Sequence, residues 1–282
     1  MESGGASPVA WAIHMALAVS LRDAVALAGR FPLLAGVTLD VGEGEIVHLS
    51  GPNGAGKSSL LRLCCGLVPL RSGSAVVLGH DLAADRRAVR LLAGYLGHET
   101  FLYEELTVEE NLRFALRASG SSAGEAGVQA ASAMSRLALA GRLPATPVGK
   151  LSAGQRRRTA LAVVVGRRPR LWLLDEPHAG LDLEGRQLLD EIILEARGGG
   201  ATVILSSHEL GESGAHPIAD RVVQLAGGRV VDDATGTTSA EPRPVLPPAA
   251  EPPAAQPPLA EPREVPAPKA QPASQPEAAH VA

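Results

Sequence analysis

The sequence predicts an α/β domain: a parallel sheet covered on both faces by helices, interrupted by a small helical insertion and followed by a disordered, Pro/Ala-rich tail. Three observations carry this. Short apolar runs such as residues 45–50 (EIVHLS), Leu171–Asp175 (LWLLD) and Thr202–Ser206 (TVILS) lack the polar alternation of half-exposed strands, as expected of strands buried on both faces. Segments with helical spacing lie between them. Composition then changes abruptly at Gly236: 13 of the 22 prolines fall from there to Ala282. Such a stretch lacks the apolar bulk to offset its ordering entropy.

Taken in order, residues 1–14 are rich in Gly, Ser and Ala and read as a flexible N-terminus. Met15 opens the run MALAVSLRDAVALAG, which reads as a first strand and its return and makes Met15 a candidate start. The folded domain is expected over 15–235. Residues 45–50 form a strand that runs into a Gly-rich turn, and residues 58–67 have helical spacing. Residues 74–78 and 94–96 read as short strands. Residues 108–117 and 128–139 are helical, and the block from about 100 to 150 breaks the strand–helix alternation as an inserted subdomain. Leu171–Asp175 is a buried strand, 188–196 an amphipathic helix, Thr202–Ser206 a second buried strand and 221–225 one more. The tail, 236–282, would reach roughly 40 Å as a flexible chain, at ~5–6 Å × √n.

Bulk properties exclude several classes. The chain of 282 residues holds one large domain with a subdomain. At 2% aromatic content its core must be aliphatic, and a net charge of -4 argues against a general nucleic-acid binder. The two cysteines, Cys64 and Cys65, are neighbours without CxxC spacing, so neither a disulfide framework nor a zinc site is indicated. They read as buried filler, and a reducing, cytosolic compartment fits. The most apolar early stretch, residues 9–21, contains His14 and is shorter than the ~20 residues a spanning helix needs. It also lacks the form of a secretory signal. Any pore must come from a partner.

The chemistry is concentrated in three motifs. Residues 51–58 (GPNGAGKS) fit the phosphate loop G-x-x-x-x-G-K-[ST], between a strand and a helix. Gly51, Gly54 and Gly56 let backbone N–H groups turn inward, with Pro52, Asn53 and Ala55 filling the loop. Lys57 neutralises phosphate charge, and Ser58, followed by Ser59, opens the helix with a hydroxyl for Mg²⁺. The run Leu171–Asp175 ends in two carboxylates, Asp175 at the strand end for Mg²⁺ and Glu176 one residue beyond to polarise a water. Residues 151–155 (LSAGQ) precede a helical run at 156–165 and form an anion-binding helix start.

In order, the phosphate loop, LSAGQ, LLDEP, the Ala179-Gly-Leu-Asp182 run and Ser207-His208 resemble the motif set of ABC ATPases across about residues 16–231. The resemblance implies ATP and Mg²⁺ as ligands, LSAGQ as the signature, Ala179 to Asp182 as the D-loop, and His208 as the switch histidine that touches the γ-phosphate and positions Glu176. It also implies a head-to-tail dimer, as a homodimer or with a paired ABC ATPase. Each ATP is then held by one chain's phosphate loop and by Ser152, Gly154 and Gln155 of the other. Integral membrane subunits would form the pore, placing this chain peripherally on the cytoplasmic face of the membrane.

Two departures narrow the resemblance. His98 stands where the family usually carries glutamine at the Mg²⁺-sensing loop, and imidazole there adds a titration near neutral pH. Ala153 replaces a usual glycine in the signature. With the LTVEENL run (residues 106–112) and the arginines after LSAGQ, these resemble the heme-exporter ATP-binding subunits of bacterial cytochrome c maturation. The alternatives are a subunit exporting a lipid, peptide or drug, and a soluble ABC ATPase acting outside transport. For adenine, the alignment places Ala28 at the stacking position, with Phe31 nearby as either a stacking or a core-facing ring.

Overall fold

The computed structural model describes residues 16–207 and 216–235. Expectations for the N-terminus, for His208 and for the tail lie outside them. The described residues hold ten strands, six α-helices and two single-turn 3-10 helices. Strands β1 (Leu17–Ala28), β2 (Phe31–Gly42), β3 (Ile46–Ser50), β4 (Ser72–Val77), β5 (His80–Asp81) and β6 (Ala93–Leu96) precede β7 (Leu171–Asp175), β8 (Thr202–Ser206), β9 (Arg221–Ala226) and β10 (Arg229–Thr235). The helices are α1 (Lys57–Cys64), α2 (Arg86–Leu92), α3 (Val108–Ala118), α4 (Ala123–Arg136), α5 (Ala153–Arg167) and α6 (Leu183–Gly198).

The main sheet runs β10-β9-β3-β8-β7-β6, parallel from β9 to β6, with β10 antiparallel at one edge. Side chains alternate across each strand, and here they feed two cores. Val47, Leu49, Leu171, Leu173, Ile204, Val223 and Leu225 pack with α1 and the N-terminal strands. Ile46, Trp172, Leu174, Val203 and Leu205 pack toward α3, α4, α5 and α6. This explains why the central strands read as unbroken apolar runs. The main sheet is the parallel, doubly covered sheet that the sequence predicts.

A second, antiparallel sheet, β2-β1-β4-β5, was not anticipated. The MALAVSLRDAVALAG run is not a strand and its return; β1 continues through it, and the return is β2. A bulge lies within β1, with Asp23 at φ 47° and the register shifting between Arg22 and Val25. Helices α3 and α4 begin with capping boxes from Thr107–Glu110 and Ser122–Glu125. They pack on each other and on α5. Cys64 and Cys65 are buried, and burial pushes their thiols up to about 12 and about 11. No helix among the described residues is long and apolar enough to cross a membrane.

Candidate functional site

The phosphate loop links β3 to α1. A Cβ on Gly51, where φ is 136°, would lie 2.2 Å from the Leu225 carbonyl oxygen, so only glycine fits. At Gly56, with φ 108°, it would lie 3.1 Å from the Leu33 carbonyl. The loop is clamped from outside by the β9–β10 hairpin: the Gly228 N–H donates to the Ala55 carbonyl at 2.9 Å, and the Gly228 carbonyl accepts from Ala35 at 2.8 Å. Lys57 is buried, and its Nζ donates to the carbonyls of Gly51 at 2.6 Å and Pro52 at 3.1 Å. The ammonium therefore sits within the loop. Pro52, Asn53 and Gly54 form an exposed rim, and Ser58 and Ser59 are half-buried in the first turn of α1. Gly56 offers that helix no side-chain cap, and uncapped N-terminal amides favour an anion.

Asp175 and Glu176 lie at the C-terminal end of β7. One strand, β8, separates β7 from β3, so the carboxylates and the phosphate loop leave the same end of the sheet about 10 Å apart, two strand spacings. Asp175 is buried, and its Oδ1 accepts from Ser206 Oγ at 2.7 Å. The Glu176 N–H is shared between Ser206 Oγ and the Ser206 carbonyl, both at 3.1 Å. Glu176 has φ 48°, a left-handed conformation uncommon for a residue with a side chain and concentrated at functional sites. The chain there leaves the sheet abruptly.

Ser206 is a site residue that the sequence reading missed; the polar end of the apolar run TVILS is its only local signal. Arg157 is a second. Its guanidinium is buried and donates to the carbonyl of Gly97, and to those of Asp175 and Glu176, each at 2.7 Å. Burial lowers its pKa from the usual arginine value, and the charges of Asp175 and Glu176 oppose that. One side chain on α5 thus braces the ends of β6 and β7 together. Its signal was spacing: Arg157, Leu161 and Val164 share the buried face of a helix.

The signature begins α5. Ser152 is its N-cap, accepting from the Gln155 N–H at 3.2 Å, while Gln155 Oε1 accepts from the Ser152 N–H at 3.0 Å. The Ser152 hydroxyl keeps its own proton for a further acceptor. Gly154 faces the D-loop: a Cβ there would meet the Gly180 carbonyl at 3.3 Å. Arg158 pairs with Asp182 at 3.0 Å, and Asp182 caps α6 by accepting from the Gly185 N–H at 2.9 Å. That N–H bond holds its carboxyl below the usual range.

His98 is exposed and directly follows Gly97, the residue Arg157 holds. Phe31 is 79% exposed at the start of β2, paired in register with Ala28, which removes the core-facing alternative. His208 lies outside the described residues; Ser207, just before it, is buried one residue past the end of β8.

Comparison with known proteins agrees with this geometry. The sequence profile of the ABC transporter family matches residues 34–179. The chain is 42% identical over 183 residues to the cytochrome c biogenesis ATP-binding export protein CcmA of Bordetella bronchiseptica, covering 65% of this chain and 79% of that one. Among solved structures, an ATP-binding subunit of an ABC transporter superposes with a TM-score of 0.70 at 32% identity, over 77% of this chain and 89% of the other. A dimeric ATP-binding cassette in a post-hydrolysis state with ADP and Pi matches with a TM-score of 0.70 at 23% identity, over 77% and 98%. With a buried lysine inside a glycine loop, two carboxylates leaving the same end of the sheet beyond one intervening strand, and a family profile matched across residues 34–179, the chain belongs to the ABC transporter family as an ATP-binding, ATP-hydrolysing cassette.

Proposed function

We propose that this cassette drives heme export for cytochrome c biogenesis, through separate membrane subunits. The observation that carries the reading is the 42% identity to a cytochrome c biogenesis export protein across 79% of that relative. His98, Ala153 and the LTVEENL run support it, because generic ATP chemistry requires none of them. The test is genetic and biochemical together. Deleting the gene is expected to abolish covalent heme in c-type cytochromes, read by heme staining, and the tagged cassette is expected to bring down an integral membrane protein. Normal cytochrome c maturation in the deletion strain would refute heme export and favour a lipid, peptide or drug as cargo. Ribosomes or DNA in the pull-down would favour a soluble role.

In this reading two chains sandwich two ATP molecules. The phosphate loop of one, with Lys57, grips the phosphates, and Ser152, Gly154 and Gln155 of the other close over the γ-phosphate. The exposed ring of Phe31 stacks on adenine. Glu176 accepts a proton from the attacking water, and His208 steadies Glu176 and the γ-phosphate. The donor set fits Mg²⁺: Asp175 is buried with one oxygen engaged by Ser206, and Ser58 supplies a hydroxyl at the helix start, both hard oxygen donors. When bound, Mg²⁺ would neutralise phosphate charge there, with Asp175 and Ser58 as its holders and His98 reaching its water. The domain spans residues 15–235, with the helical subdomain at about 100–150.

The membrane partner would dock beside His98. All three phenylalanines of the chain are exposed, and two of them, Phe101 and Phe114, gather here with Tyr103, whose ring meets Phe114 edge-on at 5.1 Å. In a chain so poor in aromatics, a solvent-facing aromatic cluster marks an interaction surface. The cassette would then sit on the cytoplasmic face of the membrane.

If His98 accepts a hydrogen bond at the Mg²⁺ water, a side chain that cannot accept one should slow ATP turnover. His98→Gln, which keeps an acceptor, should retain hydrolysis, whereas His98→Leu should lower kcat severalfold. Turnover in His98→Leu equal to wild type would remove His98 from this role.

A further inference from the structure

Away from the nucleotide, three donor side chains from three separate segments converge. His178 lies in the turn after β7, Asp190 on α6, and His216 where the described chain resumes before β9. The His178 Nε2 is 2.8 Å from Asp190 Oδ1, and the His216 Nε2 is 3.9 Å from the same oxygen. One donor atom from each lies within 4.8 Å of the other two. The two imidazoles are stacked, with centroids 4.7 Å and planes 23° apart. Both histidines are buried and Asp190 is half-buried. Anchoring the turn to α6 needs only the His178–Asp190 hydrogen bond; it does not account for a second imidazole stacked against the first over the same carboxylate.

His48 is an independent observation. It is fully buried on β3, its ring centroid 6.2 Å from that of His216, and neither of its ring nitrogens makes a hydrogen bond of ordinary geometry. Burial, reinforced by His216, pushes its imidazole down to about 4 against a weaker pull from the Ser207 backbone.

We propose that His178, Asp190 and His216 form a transition-metal site for Zn²⁺ or a similar borderline ion, with His48 as a further imidazole at its edge. Two imidazoles and a carboxylate suit zinc, with bonds near 2.0–2.2 Å. Tetrahedral Zn²⁺ with such bonds sets its donors roughly 3.3–3.6 Å apart, so the 2.8 Å pair must open and donors as far apart as 4.8 Å must close by about 1 Å, within the reach of side-chain rotation. Mg²⁺ prefers all-oxygen ligation, so this site would be chemically distinct from the one proposed at Asp175. An ion here would tie the turn that leaves Glu176 to α6 and to the chain entering β9, restraining that turn.

The test uses the full chain, stripped with a chelator and kept in Mg²⁺. Zn²⁺ is titrated against a chromophoric competitor, and Co²⁺ is followed by visible absorption. One Zn²⁺ per chain at micromolar affinity or tighter is expected, with a Co²⁺ spectrum of low coordination number and a rise of several degrees in Tm from binding to the folded state alone. Asp190→Asn should weaken Zn²⁺ binding at least about tenfold. The double variant His178→Gln/His216→Gln should abolish it, and its metal-free melting curve shows whether it folds. Should that variant unfold, Asp190→Asn decides alone. Zn²⁺ uptake equal to wild type in either folded variant overturns the site, as does no stoichiometric uptake by wild type.

Discussion

Replacing Glu176 by glutamine is expected to lower steady-state ATP hydrolysis by about 10²–10⁴-fold, the usual contribution of a positioned general base. ATP binding should stay near wild type, because the proposed phosphate grip is that of the loop around Lys57, whose ammonium is held by the Gly51 and Pro52 carbonyls, and not of Glu176. The isosteric amide keeps the backbone N–H that Ser206 engages and the left-handed turn at this position. The fold should therefore be retained and only the proton acceptor lost. With hydrolysis blocked, an ATP-bound dimer should accumulate, visible as a shift from monomer to dimer in size-exclusion chromatography with ATP. Turnover within severalfold of wild type would assign the proton to another acceptor.

The second large effect is expected at Arg157. Arg157→Met keeps the length and apolar stem of the side chain and removes its donors, leaving the carbonyls of Gly97, Asp175 and Glu176 without the guanidinium that now satisfies them. Stranded buried acceptors cost about 1–3 kcal/mol each, partly recovered because a buried cation is removed as well. A net loss of about 3 kcal/mol would lower Tm by roughly 10 °C for a domain of this size. Beyond stability, the brace holds the end of β6, from which His98 emerges, against the strand end that carries both carboxylates. Arg157→Met should therefore reduce kcat by at least about tenfold with a smaller change in KM for ATP, measured well below the variant's Tm. Arg157→Lys should recover part of the stability but little of kcat, since one ammonium cannot reproduce a fork spanning two strand ends. An equal loss of kcat/KM through KM alone would make Arg157 a structural residue only.

Much of the site was legible because its chemistry is local. The phosphate loop needs glycines at fixed offsets between a strand and a helix, and Gly51 shows why: no other residue clears the Leu225 carbonyl. Asp175 and Glu176 were readable as the end of an apolar strand, and Ser152 with Gln155 as a helix start, which the capping box satisfies. Arg157 and Ser206 were not singled out, since a run of arginines or a serine at a strand end has many meanings until the partner carbonyl or carboxylate is in place.

By itself the sequence determined the parallel sheet, the positions of its central strands and the residues at their C-terminal ends. These follow from apolar runs and turn chemistry within a few residues of one another. Only the tertiary structure decided that β1 passes through Asp23 as a bulged strand, that β2 and β4 flank it in a second sheet, and that β10 pairs with β9 to clamp the phosphate loop through Gly228. It alone brought His178, Asp190 and His216 within reach of one another. Strand pairing, buried bracing and donor clusters depend on groups far apart along the chain, where loop closure and packing against one common core choose the neighbours. Local pattern carries no record of that choice.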